Sequence, residues 1–395
     1  MTATKVPRLR ELFIAASVAA VAAAAACDGS VQGGDNAPDA APVAAPDAQI
    51  GPTQWDEALA SREVDYGHAL RIASLRLVGS LPTLAEIKFV TDAVDPASAY
   101  EATIDAYLGD PRFARQMRYF FRDSFRIGGG ELDSAPNFAA QLVVEDRSFL
   151  DLFTATTDTC PTYDSATGTF AAASCDSGAP ATAGVLTDPN VMRHFYSNMA
   201  FRRVRWVQET FACTKFPAEF GDPQDVGGSA QYTSPWAFDS IAGAETGGVI
   251  DFRDTSAVIC ANCHTTMNHQ APLFAHFGED GRYNADMVVP TPAEGAPIAR
   301  LADFLVDGET MAWRLGEPVT DLTGLGAALA SDPAVAECMV ARTWNFAMGK
   351  GDIVNTLALV PGAVVQAQIA EFQTSGFRLK EVFRSVFTSD DFVKF

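Results

Sequence analysis

The sequence predicts a mainly α, multi-helix globular protein with irregular Gly- and Pro-rich loops. Three observations carry this expectation. Beyond residue 55, apolar residues recur at three- and four-residue spacing through most of the chain. Helix-start signals, an Asp or Thr followed by Pro or a later Glu, stand before several of these stretches. No long alternation of apolar and polar residues marks out strands.

The first segment is not part of that globule. Lys5, Arg8 and Arg10 precede the Ala-dominated apolar run Leu12–Ala26, which is too short and too weakly hydrophobic for a membrane span and reads as a signal peptide over residues 1–26. The run ends Ala24-Ala25-Ala26-Cys27, similar to a bacterial lipobox. Cleavage before Cys27 and acylation of that residue would tether the protein to a membrane surface, with ordinary A-x-A cleavage nearby as the alternative. Residues 27–54 hold Asp, Ala, Pro, Gly and Gln with almost no large apolar side chains, a composition for a disordered linker. The globular part starts near Trp55 and is long enough for two or three domains.

An N-terminal helical domain is expected over 55–155. Leu70, Ala73, Leu77 and Val78 share a face in Tyr66–Val78, and Ser80-Leu81-Pro82 breaks that helix. Thr83 is placed to N-cap Leu84–Val94, with Glu86 completing a capping box. Ser98–Leu108 continues in the same period. Asp110-Pro111 opens a helix through Phe113, Met117, Phe120, Phe121 and Phe125 that the Gly128–Gly130 run ends. Phe138–Phe153 reads as helical.

The middle region, 156–250, is loop-rich. Asp158–Gly184 reads as a polar loop and Asp188–Cys213 as one or two helices, including the basic run Arg202-Arg203-Val204-Arg205-Trp206. Phe216–Val249 reads as an irregular lobe. Residues 251–315 are expected to form a separate segment and 316–395 a C-terminal helical domain. Pro297–Val306, Asp332–Met348 and Ile369–Phe387 are the further helical stretches. Asp110-Pro-x-Phe113-Ala114 recurs as Asp332-Pro-x-Val335-Ala336, an echo better explained by a shared N-cap solution than by duplication.

Cys260-Ala261-Asn262-Cys263-His264 is the C-x-x-C-H pattern of c-type haem attachment. Two thiols at this spacing can each add to a haem vinyl group while the adjoining imidazole reaches the iron. Chance would supply the pattern in roughly 0.001 chains of this composition. A disulfide, a zinc half-site and a thioredoxin-like motif are the competing readings. A signal peptide agrees with haem attachment, and the expected fold becomes helical with an embedded cytochrome c-like haem segment. His264 is the proximal axial ligand in this reading, its other ring nitrogen donating to a backbone carbonyl near Pro272. Met287 and Met311 are the candidate distal ligands, with His68, His194, His269 and His276 as rivals. Met267 is too near His264 to cross to the far face. Arg202, Arg203 and Arg205 suit either haem propionates or a partner's acidic face, or else a solvated helix face or an internal ion-pair set.

With Cys27 assigned to lipid and Cys260 and Cys263 to haem, four of seven cysteines remain. An even remainder in an oxidising compartment suggests two disulfides. Cys160 and Cys175 bracket a weakly structured loop and are the first expected pair, leaving Cys213 with Cys338, while the other connectivities of these four stay open in the sequence. The net charge of −21 argues against nucleic acid and anionic membrane surfaces as partners; it would steer a basic redox partner protein, with plain solubility as the alternative role.

Several motifs resemble one family in order along the chain. Cys260 to Tyr283 is similar, without gaps, to the pattern C-x-x-C-H-x-x-M-D-P-…-F-D-x-x-G-R-[WY], matching at Cys260, Cys263, His264, Met267, Phe277, Gly281, Arg282 and Tyr283. Leu77-Val78-Gly79-Ser80-Leu81-Pro82-Thr83, Gly184-Val185-Leu186-Thr187, Arg202 to Glu209, and Cys338 with Arg342 and Phe346 to Lys350 resemble its other signatures. The family comprises secreted proteins of planctomycetes and myxobacteria that carry a planctomycete cytochrome c-type haem segment among helical domains of unknown function. The departures are Asn268-His269 in place of Asp-Pro and Val204 in place of Gly. The resemblance implies a secreted or surface haem c protein. The expectation is therefore a lipid-anchored c-type cytochrome, in a bacterial periplasm or at the cell surface, transferring single electrons. A peroxidase-like haem oxidoreductase and a surface interaction protein with a structural haem are the alternatives.

Overall fold

A computed structural model describes residues 54–216, 253, 258–290, 298–353 and 360–395. The expected signal peptide over 1–26, Cys27 and the expected linker up to residue 53 lie outside the described residues, as do the expected lobe beyond Phe216 and Pro297. Among those described, the chain is mainly helical, with fifteen α-helices and two short two-stranded sheets. None of these helices is long and apolar enough to cross a membrane. Ala60–Phe395 form one compact unit.

Helix α1 (Gln54–Ala60) precedes α2 (Tyr66–Leu77), α3 (Leu84–Thr91), α4 (Pro96–Leu108) and α5 (Pro111–Phe125). The Thr83–Glu86 capping box forms as expected at the start of α3. Asp95 and Asp110 accept hydrogen bonds from the first backbone N–H groups of α4 and α5, each followed by Pro at the first helical position. The same arrangement opens α8 (Pro189–His194) at Asp188 and α12 (Pro333–Ala347) at Asp332. Four such starts make the Asp110/Asp332 echo a common capping solution.

In α5 the stripe Phe113, Met117, Phe120, Phe121 and Phe125 is buried. The helix ends on Arg126 in the left-handed region, two residues before the glycine run expected to end it. Asp133 then binds the guanidinium groups of Arg118 and Arg122, fastening α5 to α6 (Ser134–Val144). The expected continuous helix Phe138–Phe153 is broken. Asp146 takes a φ of 55°, and only a short α7 (Asp151–Thr154) follows. The expected loop Asp158–Gly184 contains the hairpin β1 (Thr162–Asp164) and β2 (Thr169–Ala171).

Further on come α9 (Phe201–Phe211), α10 (Val258–Phe274), β3 (Ala312–Arg314), β4 (Glu317–Pro318) and α11 (Leu322–Ser331). Of the stretch expected to be helical to Val306, the described part holds only a single 3₁₀ turn, Leu301–Asp303. Helix α11 was not expected, because Gly324 and Gly326 weaken its helical signal. Gly326 is required by proximity: a Cβ there would collide with the Phe153 carbonyl of α7. Finally α13 (Gln366–Thr374), α14 (Leu379–Phe387) and α15 (Asp390–Val393) lead to the C-terminus. There Phe395 exchanges backbone hydrogen bonds with Glu63 at 3.0 and 2.9 Å.

The core is aromatic and joins segments remote in sequence. Phe120 meets Phe383 of α14 edge-on at 5.6 Å and Phe346 of α12 at 5.2 Å. Phe211 of α9 meets Phe125 at 5.5 Å and Phe153 at 4.8 Å. Such edge-to-face pairs add about 0.5–1.5 kcal/mol each beyond their burial. Both expected disulfides form: Cys160 with Cys175 across the hairpin, and Cys213 after α9 with Cys338 in α12.

Candidate functional site

The C-x-x-C-H residues lie on one helix, α10, which continues unbroken through Met267, Asn268 and His269. At 100° per residue the backbone positions of Cys260, Cys263 and His264 fall within about 100° of one face. The side chain of Cys260 is outside the described residues. Cys263 and His264 are buried, at 5 % and 4 % exposure.

His264 Nδ1 lies 3.1 Å from Asn268 Oδ1, one turn further along the same helix. An amide oxygen only accepts, so Nδ1 carries the proton and Nε2 the lone pair. Burial lowers the imidazole's proton affinity, against the opposing hydrogen bond that it donates to Asn268, and favours the neutral ring. The edge of Phe201 at the start of α9 packs against it, with ring centres 5.1 Å apart. The expected backbone acceptor near Pro272 is not the partner of Nδ1. Pro272 lies inside α10, two turns past His264, where its carbonyl accepts from the Ala275 N–H. Helical continuity instead brings in the side chain four residues on. That spacing was legible in the sequence once the motif was read as mid-helix.

The C-terminal end of α10 is held by Arg203 of α9. The guanidinium, fully buried, donates through Nη1 to the carbonyls of Phe274 and Phe277, both at 2.8 Å. Through Nε and Nη2 it donates to Met192 O of α8, and through Nη2 to Gly278 O. Burial pulls its pKa down to about 10. These carbonyls include orphans of two helix ends, so the cation compensates partial negative charge without a carboxylate. The other arginines of the run diverge. Arg205 pairs with the buried Glu209 at 3.0 Å, and the exposed Arg202 sits over the Phe195 ring. Of the expected roles for this run, the internal ion pair describes Arg205, whereas Arg203 binds backbone carbonyls.

Met287 and Met311, the candidate distal ligands, come together on the wall of one cavity of about 260 Å³, alongside Pro272, Leu273 and His276. His264 is not on that wall. Eight residues of helix, about 12 Å, separate it from Pro272. Met267 is half-buried against the core. Among the histidines, His269 is engaged at both nitrogens, Nδ1 with the Thr265 carbonyl at 2.6 Å and Nε2 with Glu309 at 3.4 Å. His68 stacks on Phe395, and His194 lies edge-on to Phe195.

Gly281 marks another close approach near the end of α10. It adopts a φ of 77°, and a Cβ there would collide with the Pro189 carbonyl at the start of α8. Compared with known proteins, the chain matches no family model, no curated protein and no solved structure.

Proposed function

We propose that this chain is a c-type cytochrome of the planctomycete cytochrome c kind. It carries one haem c on Cys260 and Cys263, with His264 as proximal ligand, and passes single electrons at a bacterial cell envelope. Acylated Cys27 anchors it there, and its acidic surface receives a basic redox partner.

The observation that carries the reading is the Asn268–His264 hydrogen bond. A ligating histidine has its second nitrogen held by an acceptor, which fixes the ring and keeps the lone pair on the nitrogen facing the metal. Here the residues fit that demand. Asn268 holds the proton at Nδ1, burial keeps the ring neutral, and Phe201 limits its rotation. Cys263 is buried one position before it. The haem, when bound, supplies reversible one-electron chemistry that side chains lack. Arg203 keeps the end of the attachment helix in place by binding its terminal carbonyls.

Protein matured with a c-haem assembly system is expected to give one covalent haem per chain in the pyridine haemochrome assay, and none in the Cys260→Ala/Cys263→Ala variant. A wild-type chain without covalent haem overturns the proposal. A reversible voltammetric wave without turnover supports electron transfer, whereas peroxide-dependent oxidation lost in His264→Ala supports the oxidoreductase alternative. Optical spectra of Met287 and Met311 variants identify the distal ligand, and mass spectrometry of the mature N-terminus tests acylation of Cys27.

A further inference from the structure

The cavity at the C-terminal end of α10 has a chemistry of its own. Leu273, Phe277, Leu322, Met287 and Met311 give it apolar walls, and its volume is about 260 Å³. A cavity of roughly 150 Å³ with apolar lining is enough to take up benzene, so this one has room for a substituted ring. Thioether sulfurs make favourable contacts with aromatic ring edges.

The polar groups on the wall are not equivalent. Asp321 accepts from the Gly324 N–H at 2.8 Å and from the Thr323 hydroxyl at 2.6 Å, as N-cap of α11. The Thr187 hydroxyl faces the Gly184 carbonyl and the Ala183 N–H. His276 differs. Its Nδ1 lies 3.1 Å from the Asn284 carbonyl, which can only accept, so in the neutral ring Nδ1 carries the proton and Nε2 the lone pair. Its ring is stacked on Tyr283, with centres 5.3 Å apart. The wall thus offers an oriented imidazole acceptor among apolar and thioether groups.

From this combination we infer that the cavity is a binding site for a small phenol, with the ring between Met287 and Met311 and the hydroxyl donating to His276 Nε2. A purely apolar ring would make no use of that acceptor. An anionic ligand would find no Lys or Arg on the wall. The site needs both Met287 and Met311 free of the iron, so it is tested in the chain without cofactor.

The test uses p-cresol and toluene, which differ by one hydroxyl, titrated into the mature chain by calorimetry and followed by the ¹⁵N shifts of the His276 ring. Saturable 1:1 binding of p-cresol is expected, about tenfold tighter than toluene, as one hydrogen bond of about 1.4 kcal/mol would give. The preference should vanish in His276→Phe, with toluene binding retained. Met287→Trp should fill the cavity and abolish binding of both. Equal affinities for the two ligands, no saturable binding at millimolar p-cresol, or binding untouched by Met287→Trp would each overturn the inference. Because the readout is ligand affinity, its failure leaves the haemochrome result unaffected, and the reverse also holds.

Discussion

Arg203 Nη1 lies 2.8 Å from the Phe274 carbonyl, so a buried cation on one helix closes the end of the helix that bears Cys263 and His264. The same guanidinium reaches Met192, Phe277 and Gly278, which joins α8, α9 and the turn after α10 through one side chain.

Replacing Arg203 by Met is therefore expected to destabilise the fold by about 3 kcal/mol or more, because several buried carbonyls lose their donor together. Arg203→Lys should recover only part of this, since an ammonium cannot span the same fork of acceptors. Urea unfolding midpoints of the two variants check the order. A Met variant as stable as the parent would remove the capping role.

Asn268 is expected to set the tautomer of His264. In Asn268→Leu the Nδ1 proton loses its acceptor, and ¹⁵N spectra of the ring should move from a single tautomer toward a mixture. Asn268→Asp places a carboxylate at the same position and should raise the His264 pKa above that of the parent, because a negative charge beside the ring favours its charged form. A ring that titrates identically in all three proteins would show that the contact does not orient it.

Asp188 and His264 should act oppositely on the pH dependence of stability. Asp188 is buried and its pKa is pushed up from 3.8 to about 6. Between these values the folded chain binds a proton that the unfolded chain does not, so stability gained at low pH is lost as pH rises from 4 through 6. The shift corresponds to about 3 kcal/mol. Asp188→Asn keeps an N-cap for α8 and should be the more stable protein at pH 8, with the advantage shrinking toward pH 4. His264 is lowered instead, so acidification below about 6.5 protonates the unfolded chain first and costs stability. Denaturant midpoints of the parent, Asp188→Asn and Asn268→Leu between pH 4 and 8 resolve the two contributions.

The two disulfides should differ in weight. Cys213–Cys338 closes 125 residues and Cys160–Cys175 closes 15. On chain entropy, removing the first costs about 5 kcal/mol and the second about 3. Paired Cys→Ala variants compared by calorimetry should keep that order, and the reverse order would place the stabilisation in local packing at the hairpin.

Much of this architecture was readable in one dimension because its determinants are local. Asp95, Asp110, Asp188 and Asp332 each satisfy the first N–H groups of the helix they open, and a following Pro suits the first helical position, so four starts follow from adjacent residues. The short loop between Cys160 and Cys175 likewise made that pairing, and by remainder the other, legible in advance. What only the folded chain decided involves partners far apart in sequence or a backbone choice made under tertiary pressure. Asp146 turns to positive φ where Phe138–Phe153 had continuous helical periodicity, and α11 forms despite two glycines because one lets it approach the Phe153 carbonyl. The role of Arg203 required Met192, Phe274 and Gly278 to meet at one point, and the shared cavity of Met287 and Met311 required α10, α11 and their loops to pack. Periodicity and capping encode how one turn satisfies its own backbone. Which carbonyls remain for a distant guanidinium, and which side chains line a common cavity, are set when the helices pack.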